Sequence, residues 1–189
     1  MSGGRLKTDL RITAGTLRGR RVPLPRGEVR PTSERARQAY FNIAGDRVRG
    51  ARFLDLFAGS GIFSFEALSR GASSAVAVDS SRENLIQITK LAQAFAVQVE
   101  TVLTDAVRAE GRMRGPFDLV YADPPYDFAR YDDLLNGLDK IELSTDPLVA
   151  VEHRRHTAPF TVEPRGLAFW RRAEYGEVWI TFFTASGLQ

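Results

Sequence analysis

The chain has no cysteine and only two histidines, and no apolar run approaches the length of a membrane span. Without cysteine, disulfides and thiolate-held metals are excluded, and the composition fits a reducing compartment. The two histidines, His153 and His156, have no ligand-type neighbours at metal-binding spacing, so no metal site is expected. Basic residues near the start are not followed by the apolar stretch of a secretory leader. A soluble cytoplasmic protein with no membrane partner is expected. Two phosphate-binding signatures are also missing: there is no G-x-G-x-x-G, and no Gly-rich turn carries the lysine of a P-loop.

At 189 residues, with 43% hydrophobic and 26% charged residues, the chain has material for one well-buried domain and a modest extension. Its net charge of +3 is unevenly spread. Residues 1–50 hold 12 Lys/Arg against 4 Asp/Glu, whereas residues 51–189 are net negative by 5. Eleven of those 12 are arginine, whose planar fork suits phosphate contacts and stacking on bases. The asymmetry points the front of the chain towards nucleic acid.

In that front part, Leu10–Ala14 and Arg20–Leu24 read as a hairpin around Gly15 and Gly19. Thr32 or Ser33 can cap a helix whose apolar residues Ala36, Ala39, Tyr40 and Ile43 recur at helical spacing, with Gly45 ending it. Arg35 and Arg37 are expected on the more exposed side. Arg11, Arg18, Arg20, Arg30, Arg35 and Arg37 would then form one basic arm suited to nucleic-acid phosphates. From Arg52 onward short apolar runs alternate with helical segments, which predicts an α/β fold with a mostly parallel sheet and helices on both faces. The expected strands are Phe53–Phe57, Ala75–Val78, Val97–Leu103, Phe117–Ala122 and Leu148–Glu152, with helices at Ile62–Ser69, Arg82–Phe95 and Tyr131–Leu138. Leu167–Tyr175 and Glu177–Phe183 lie too close together for a crossover and should form an antiparallel hairpin on the sheet edge.

The chemistry-bearing residues fall at the carboxyl ends of these strands, where open α/β sheets place ligands. Leu54–Gly61 reads as a buried strand, a Gly-rich turn and a helix start, so that Gly59 and Gly61 would let the backbone pass close to a ligand. Asp55 is an acid in an apolar strand and needs a reason for its burial. Further acids end the following strands at Asp79, Asp105 and Asp123. An acid at the second tip suits the two hydroxyls of a ribose. Asp123 is followed by Pro124-Pro125-Tyr126, which stops its strand because proline cannot continue the ladder.

These residues resemble the Rossmann-like S-adenosylmethionine-dependent methyltransferases. By that resemblance Asp55, Phe57, Ala58, Gly59, Ser60 and Gly61 lie along the methionine part of the cofactor. Asp79 would hold the ribose, Asp105 would lie beside the adenine amine, and Asp123–Tyr126 match the Asn/Asp-Pro-Pro-Tyr motif of enzymes that methylate nitrogen. More narrowly, Arg11, Gly15, Gly19-Arg20, Arg30-Pro31-Thr32, Arg35, Arg37 and Phe41-Asn42 resemble the front of the bacterial 16S ribosomal RNA guanine-N2 methyltransferases of the RsmD type. Glu66–Ala72 and Tyr175-Gly176 extend that likeness, while Asp79 stands where glutamate is usual.

The resemblance implies a basic RNA-binding extension over 1–50, with Thr32 among its RNA contacts, and a methyltransferase domain over 51–189. The expected substrate is a guanine N2 amine of 16S RNA in an assembled or assembling small subunit, and the expected state is a monomer. Asp123 and the Pro124 carbonyl would accept the amine protons and Tyr126 would stack on the base. The alternatives are adenine-N6 methylation of DNA or RNA, glutamine methylation of a protein, and a non-catalytic RNA-binding assembly factor.

Overall fold

Local pairing begins with β1 (Asp9–Arg11) and β2 (Arg21–Pro23), an antiparallel hairpin with Leu10 opposite Val22. The computed structural model describes residues 9–25, 34–125, 127–155, 160, 162 and 164–187. Both strands are shorter than the expected 10–14 and 20–24, because beyond Arg11 the backbone bonds elsewhere: the Thr13 and Ala14 amides donate to the Glu66 carboxylate. Helix α1 (Glu34–Ala44) ends at Gly45, whose φ of +55° is the left-handed conformation that glycine adopts freely at a helix end. Arg30, Thr32, Ser33 and Tyr126 lie outside the described residues.

The alternating region then runs β3 (Arg52–Leu56), α2 (Ile62–Ser69), β4 (Ser74–Asp79), α3 (Arg82–Phe95), β5 (Val99–Leu103), β6 (Phe117–Ala122), α4 (Tyr131–Leu138), β7 (Leu143–Arg154), β8 (Leu167–Tyr175) and β9 (Val178–Ala185). One seven-stranded sheet results, in the order β5-β4-β3-β6-β7-β9-β8. The pairs from β5 to β7 are parallel, and β9 runs antiparallel to both β7 and β8, which is the expected hairpin at the edge. The three helices of this region span the residues that the periodicity indicates, and the Ser81 hydroxyl caps α3 by accepting the Asn84 amide at 3.3 Å.

Alternation along the strands divides the core into two layers. Phe53, Ala75, Ala77, Leu119 and Tyr121 face α1, α2 and α3, while Leu54, Leu56, Val76, Val78, Val120 and Ala122 face α4. The front of the chain joins the first layer, since Ile12, Leu17, Val22, Tyr40 and Phe41 are buried in the same cluster. Each such aliphatic side chain contributes about 1.5–3 kcal/mol by leaving water. Among the described residues no helix is long and apolar enough to cross a membrane.

One expectation is overturned. Arg37, expected to ride on the exposed side of α1, is fully buried and cannot meet RNA phosphates. The hairpin covers the face of α1 that the apolar spacing leaves for solvent: the Arg37 guanidinium donates to the Arg11 carbonyl at 2.8 Å and lies 3.5 Å from the Glu66 carboxylate. Burial lowers its pKa from the ordinary guanidinium value, although the Glu66 charge opposes the shift.

Candidate active site

The strand order reverses between β3 and β6, which opens a crevice at their carboxyl ends. Leu56 pairs with Ala122, and the Asp123 amide donates to the Leu56 carbonyl at 3.3 Å. The Gly-rich turn after β3 therefore abuts the Asp123-Pro124-Pro125 tip of β6.

Chain geometry in the turn is unusual. Phe57 has φ +63°, rare for a side chain of its size, and Gly59 and Gly61 have φ +52° and +74°. The two glycines differ in what surrounds them. A Cβ on Gly61 would press within 2.8 Å of the Ile88 side chain, so Gly61 lets α2 pack on α3. A Cβ on Gly59 would meet only the Phe57 carbonyl, at 3.9 Å, so there the backbone faces open space that a ligand can occupy.

Asp55 braces this turn from beneath. It is 2% exposed, and its Oδ2 accepts from the Ser64 amide at 3.1 Å and the Ser64 hydroxyl at 2.7 Å, tying β3 to the first turn of α2. Burial pushes its carboxyl up to about 8, against the lowering effect of the Ser64 hydrogen bonds. An unfolded aspartate ionises near pH 4. Folding therefore takes up a proton between about pH 4 and 8, and stability falls as pH rises through that window. Asp55→Asn is expected to remove this slope, at most about 1.4 kcal/mol per pH unit. Urea unfolding across the window checks it, and parallel curves for the two proteins would refute the assignment.

The other strand-end acids hold backbone at the carboxyl edge of the sheet. Asp79 accepts from the Gly59 amide at 2.7 Å, the Ser81 amide at 2.7 Å and the Asn84 side chain at 3.3 Å. A carboxylate has about four acceptor positions, so about one remains for a ribose hydroxyl. Asp105 accepts from the Val107 amide at 3.2 Å and from Arg130 at 2.9 Å. Partial burial raises its pKa, but the Arg130 and Val107 hydrogen bonds outweigh this and hold the carboxyl below the usual range.

Beyond Pro125 the chain supplies an aromatic wall. The Phe128 ring stands edge-on to Phe57 at 5.3 Å and to Tyr131 at 5.0 Å. Burial, with the Asp123 and Glu152 charges nearby, pushes the Tyr131 hydroxyl up to about 12. These two aromatics were not singled out from the sequence; the available signal was two rings within six residues of Pro125. Glu152 was also missed, because it reads as the end of an apolar strand. His153 is buried, with its ring nitrogens 3.0 Å from the Arg154 carbonyl and 2.8 Å from the Thr181 hydroxyl.

The described arm residues Arg11, Arg18, Arg20 and Arg35 are exposed. The arm itself is anchored on α2. The Glu66 carboxylate, fully buried, accepts from the Thr13 amide at 2.9 Å, the Thr13 hydroxyl, the Ala14 amide at 3.2 Å and Arg70 at 2.9 Å. Ser69 receives the Leu17 amide on its hydroxyl at 2.9 Å and the Thr16 amide on its carbonyl at 2.8 Å. A Cβ on Gly15 would collide with the Ser69 carbonyl, so only glycine allows this approach. On the same side of the sheet, the Tyr40 ring of α1 contacts Tyr121 of β6 at 4.8 Å.

Three comparisons bear on this arrangement. Ribosomal RNA small subunit methyltransferase D of Escherichia coli K12 is 33% identical over 173 residues, which cover 90% of this chain and 87% of that protein. The solved Escherichia coli chain yhhF superposes with a TM-score of 0.83 at 29% identity, covering 94% of this chain and 98% of that one. SMU.776, solved in complex with SAH, shares the fold at 18% identity with a TM-score of 0.69, covering 98% of this chain and 58% of that one. The family described as conserved hypothetical protein 95 matches residues 10–184, and the chain belongs to that family, together with the small subunit methyltransferases D.

Proposed function

We propose that the protein transfers a methyl group from S-adenosylmethionine to the N2 amine of a guanine in 16S ribosomal RNA, within the assembled or assembling small subunit, acting as a cytoplasmic monomer. The observation that carries this reading is the bond of the Asp123 amide to Leu56, which places the Asp123 tip beside the strand end that leads into the Gly59 turn at the β3–β6 switch point. Relatives named for small-subunit RNA methylation support the substrate class. S-adenosylmethionine supplies an electrophilic methyl on a sulfonium. Phe57 to Gly61 would line its methionine part, with Asp55 and Gly61 acting through the shape of the turn, while Asp79 would hold a ribose hydroxyl and Asp105 the adenine amine.

The nucleophile is a poor one, since the lone pair of an exocyclic amine is delocalised into the ring. Asp123 accepts one amine proton and the Pro124 carbonyl the other, which localises the pair and aims it at the methyl carbon. Asp123 would also take the proton that the amine nitrogen loses once it carries the methyl group. Tyr126 and the Phe128 wall would hold the extruded base by stacking, worth about 1–3 kcal/mol per base. Incubation with labelled cofactor and small subunits, naked RNA, DNA or protein tests the reading. Label in guanine N2 of the small subunit is expected; label elsewhere, or none, refutes it.

Residues 1–50 act as the RNA-holding extension and 51–189 as the catalytic part. Arg11, Arg18, Arg20 and Arg35 offer exposed guanidinium groups, with Arg30 and Thr32 completing the set. RNA affinity is therefore expected to fall steeply with salt, and replacing Arg18 and Arg35 together by alanine should flatten the log–log slope by roughly 1.5. An unchanged slope in filter binding would remove those residues from the phosphate contacts.

A further inference from the structure

We propose that Glu152 selects the base at this site, its Oε1 accepting the ring N1–H of guanine while Asp123 accepts from the adjacent exocyclic amine. The inference rests on the guanine-N2 reading above. Ala122 and Val151 are the last residues paired between β6 and β7, so Asp123, just past the end of β6, and Glu152, still within β7, lie side by side on neighbouring parallel strands. Strands lie about 4.8 Å apart. Alternation puts both acids on the side of the sheet that carries Tyr121.

Tyr121 fixes which oxygen of Glu152 is available. It pairs with Ala150 and reaches diagonally along the strand, its hydroxyl donating to Glu152 Oε2 at 2.6 Å. Its own ring is clamped by Phe63, stacked at 3.8 Å, and by Tyr40. Among the described residues no hydrogen bond is made to Oε1, although Glu152 is only 8% exposed. Burial, with the Asp123 charge adding to it, raises the Glu152 carboxyl well above its usual range. In the ionised form Oε2 accepts from Tyr121; in the neutral form a proton on Oε2 is donated to the Tyr121 oxygen instead, which reverses that bond and leaves Oε1 as the carbonyl acceptor.

Two adjacent acceptors match one kind of base. Among bases with an exocyclic amine, guanine places a ring N–H donor beside that amine, whereas adenine and cytosine place only ring lone pairs there. With adenine, a lone pair would face Oε1 and leave a buried acceptor unpaired, which is the strongest basis for rejecting a near-isosteric substrate. Asp123 thus orients the amine, and Glu152 is a specificity residue that reads the atom next to it.

The test uses RNA, bare or assembled into subunits, with guanosine or 2-aminopurine at the nucleotide that the wild-type enzyme labels. 2-Aminopurine keeps the C2 amine, but its N1 is a bare acceptor. The wild-type protein should prefer guanosine by about 100-fold in kcat/KM. Glu152→Ala should bring the two substrates within a few-fold of one another. Glu152→Gln should also shrink the ratio, because its amide can turn its NH2 towards N1, and it carries the test if the alanine variant does not fold. Lost packing would slow both substrates alike and leave the ratio in place. A wild-type-like ratio in a folded variant that binds cofactor normally overturns the role of Glu152 alone. Label on an amine other than guanine N2 overturns the functional reading, and this inference with it.

Discussion

Asp123→Ala is expected to lower the methyl-transfer rate by about a thousandfold or more while leaving cofactor affinity within a few-fold of wild type. The side chain stands just past the end of β6, where its proposed task is to hold an amine that would otherwise keep its lone pair in the ring. Removing it deletes the orienting acceptor and the nearest proton acceptor together. Asp123→Asn separates these roles, since the amide oxygen still accepts a hydrogen bond but takes no proton at neutral pH. Substantial activity in the asparagine variant would assign orientation as the main contribution. Single-turnover rates with saturating RNA, set beside calorimetric cofactor binding, provide the measurement. Parallel loss of binding and rate would mean that Asp123 supports the Leu56–Gly59 turn rather than the amine.

Glu66→Ala should have the largest effect on stability. The substitution leaves Arg37 as a buried cation without its anion and strands the amides of Thr13 and Ala14. Breaking a buried pair in this way costs about 3–5 kcal/mol, which lowers Tm by roughly 10 °C in a chain of this size. A double variant, Glu66→Leu with Arg37→Met, should recover much of the loss, because uncharged side chains of similar volume do not need one another. Thermal unfolding measures both, and limited proteolysis should find the first hairpin more readily cut in the single variant. A Tm within about 2 °C of wild type would show that the network is dispensable.

The sequence carried the sheet and its helices well because their signals are local. Ser81 announces the start of α3, Gly71 closes the α2 segment, and two prolines end β6, each acting within a few residues. Arg37 was misread for the opposite reason. Its position off the apolar stripe of α1 is genuine, but the hairpin that covers that face is anchored through Glu66, 53 residues from Thr13 along the chain. Helical spacing shows which side of a helix is apolar and does not show what else arrives on the polar side. Glu66 did leave a mark, as the lone acid in an otherwise uncharged, wholly buried helix. Asp55 gave a similar mark in β3, and the reason for its burial is the Ser64 contact. Glu152 left none, since the role proposed for it depends on lying beside Asp123, and that adjacency exists only once β6 and β7 are paired.

Helix α2 is eight residues long and is held at both ends. Its first turn is tied through Ser64 to Asp55 of β3, the strand that leads into the Gly-rich loop, and its last turn receives the hairpin through Glu66 and Ser69. At 1.5 Å per residue it is a rod of about 12 Å. It therefore works as a ruler, setting a fixed span between the backbone that the methyl donor would touch and the arginines that would grip the RNA. Inserting one residue into α2 would lengthen that span by about 1.5 Å and turn the two ends by about 100° relative to one another. On the proposed function, a helix that touches neither substrate nor product would thus help to set which nucleotide the methyl group reaches.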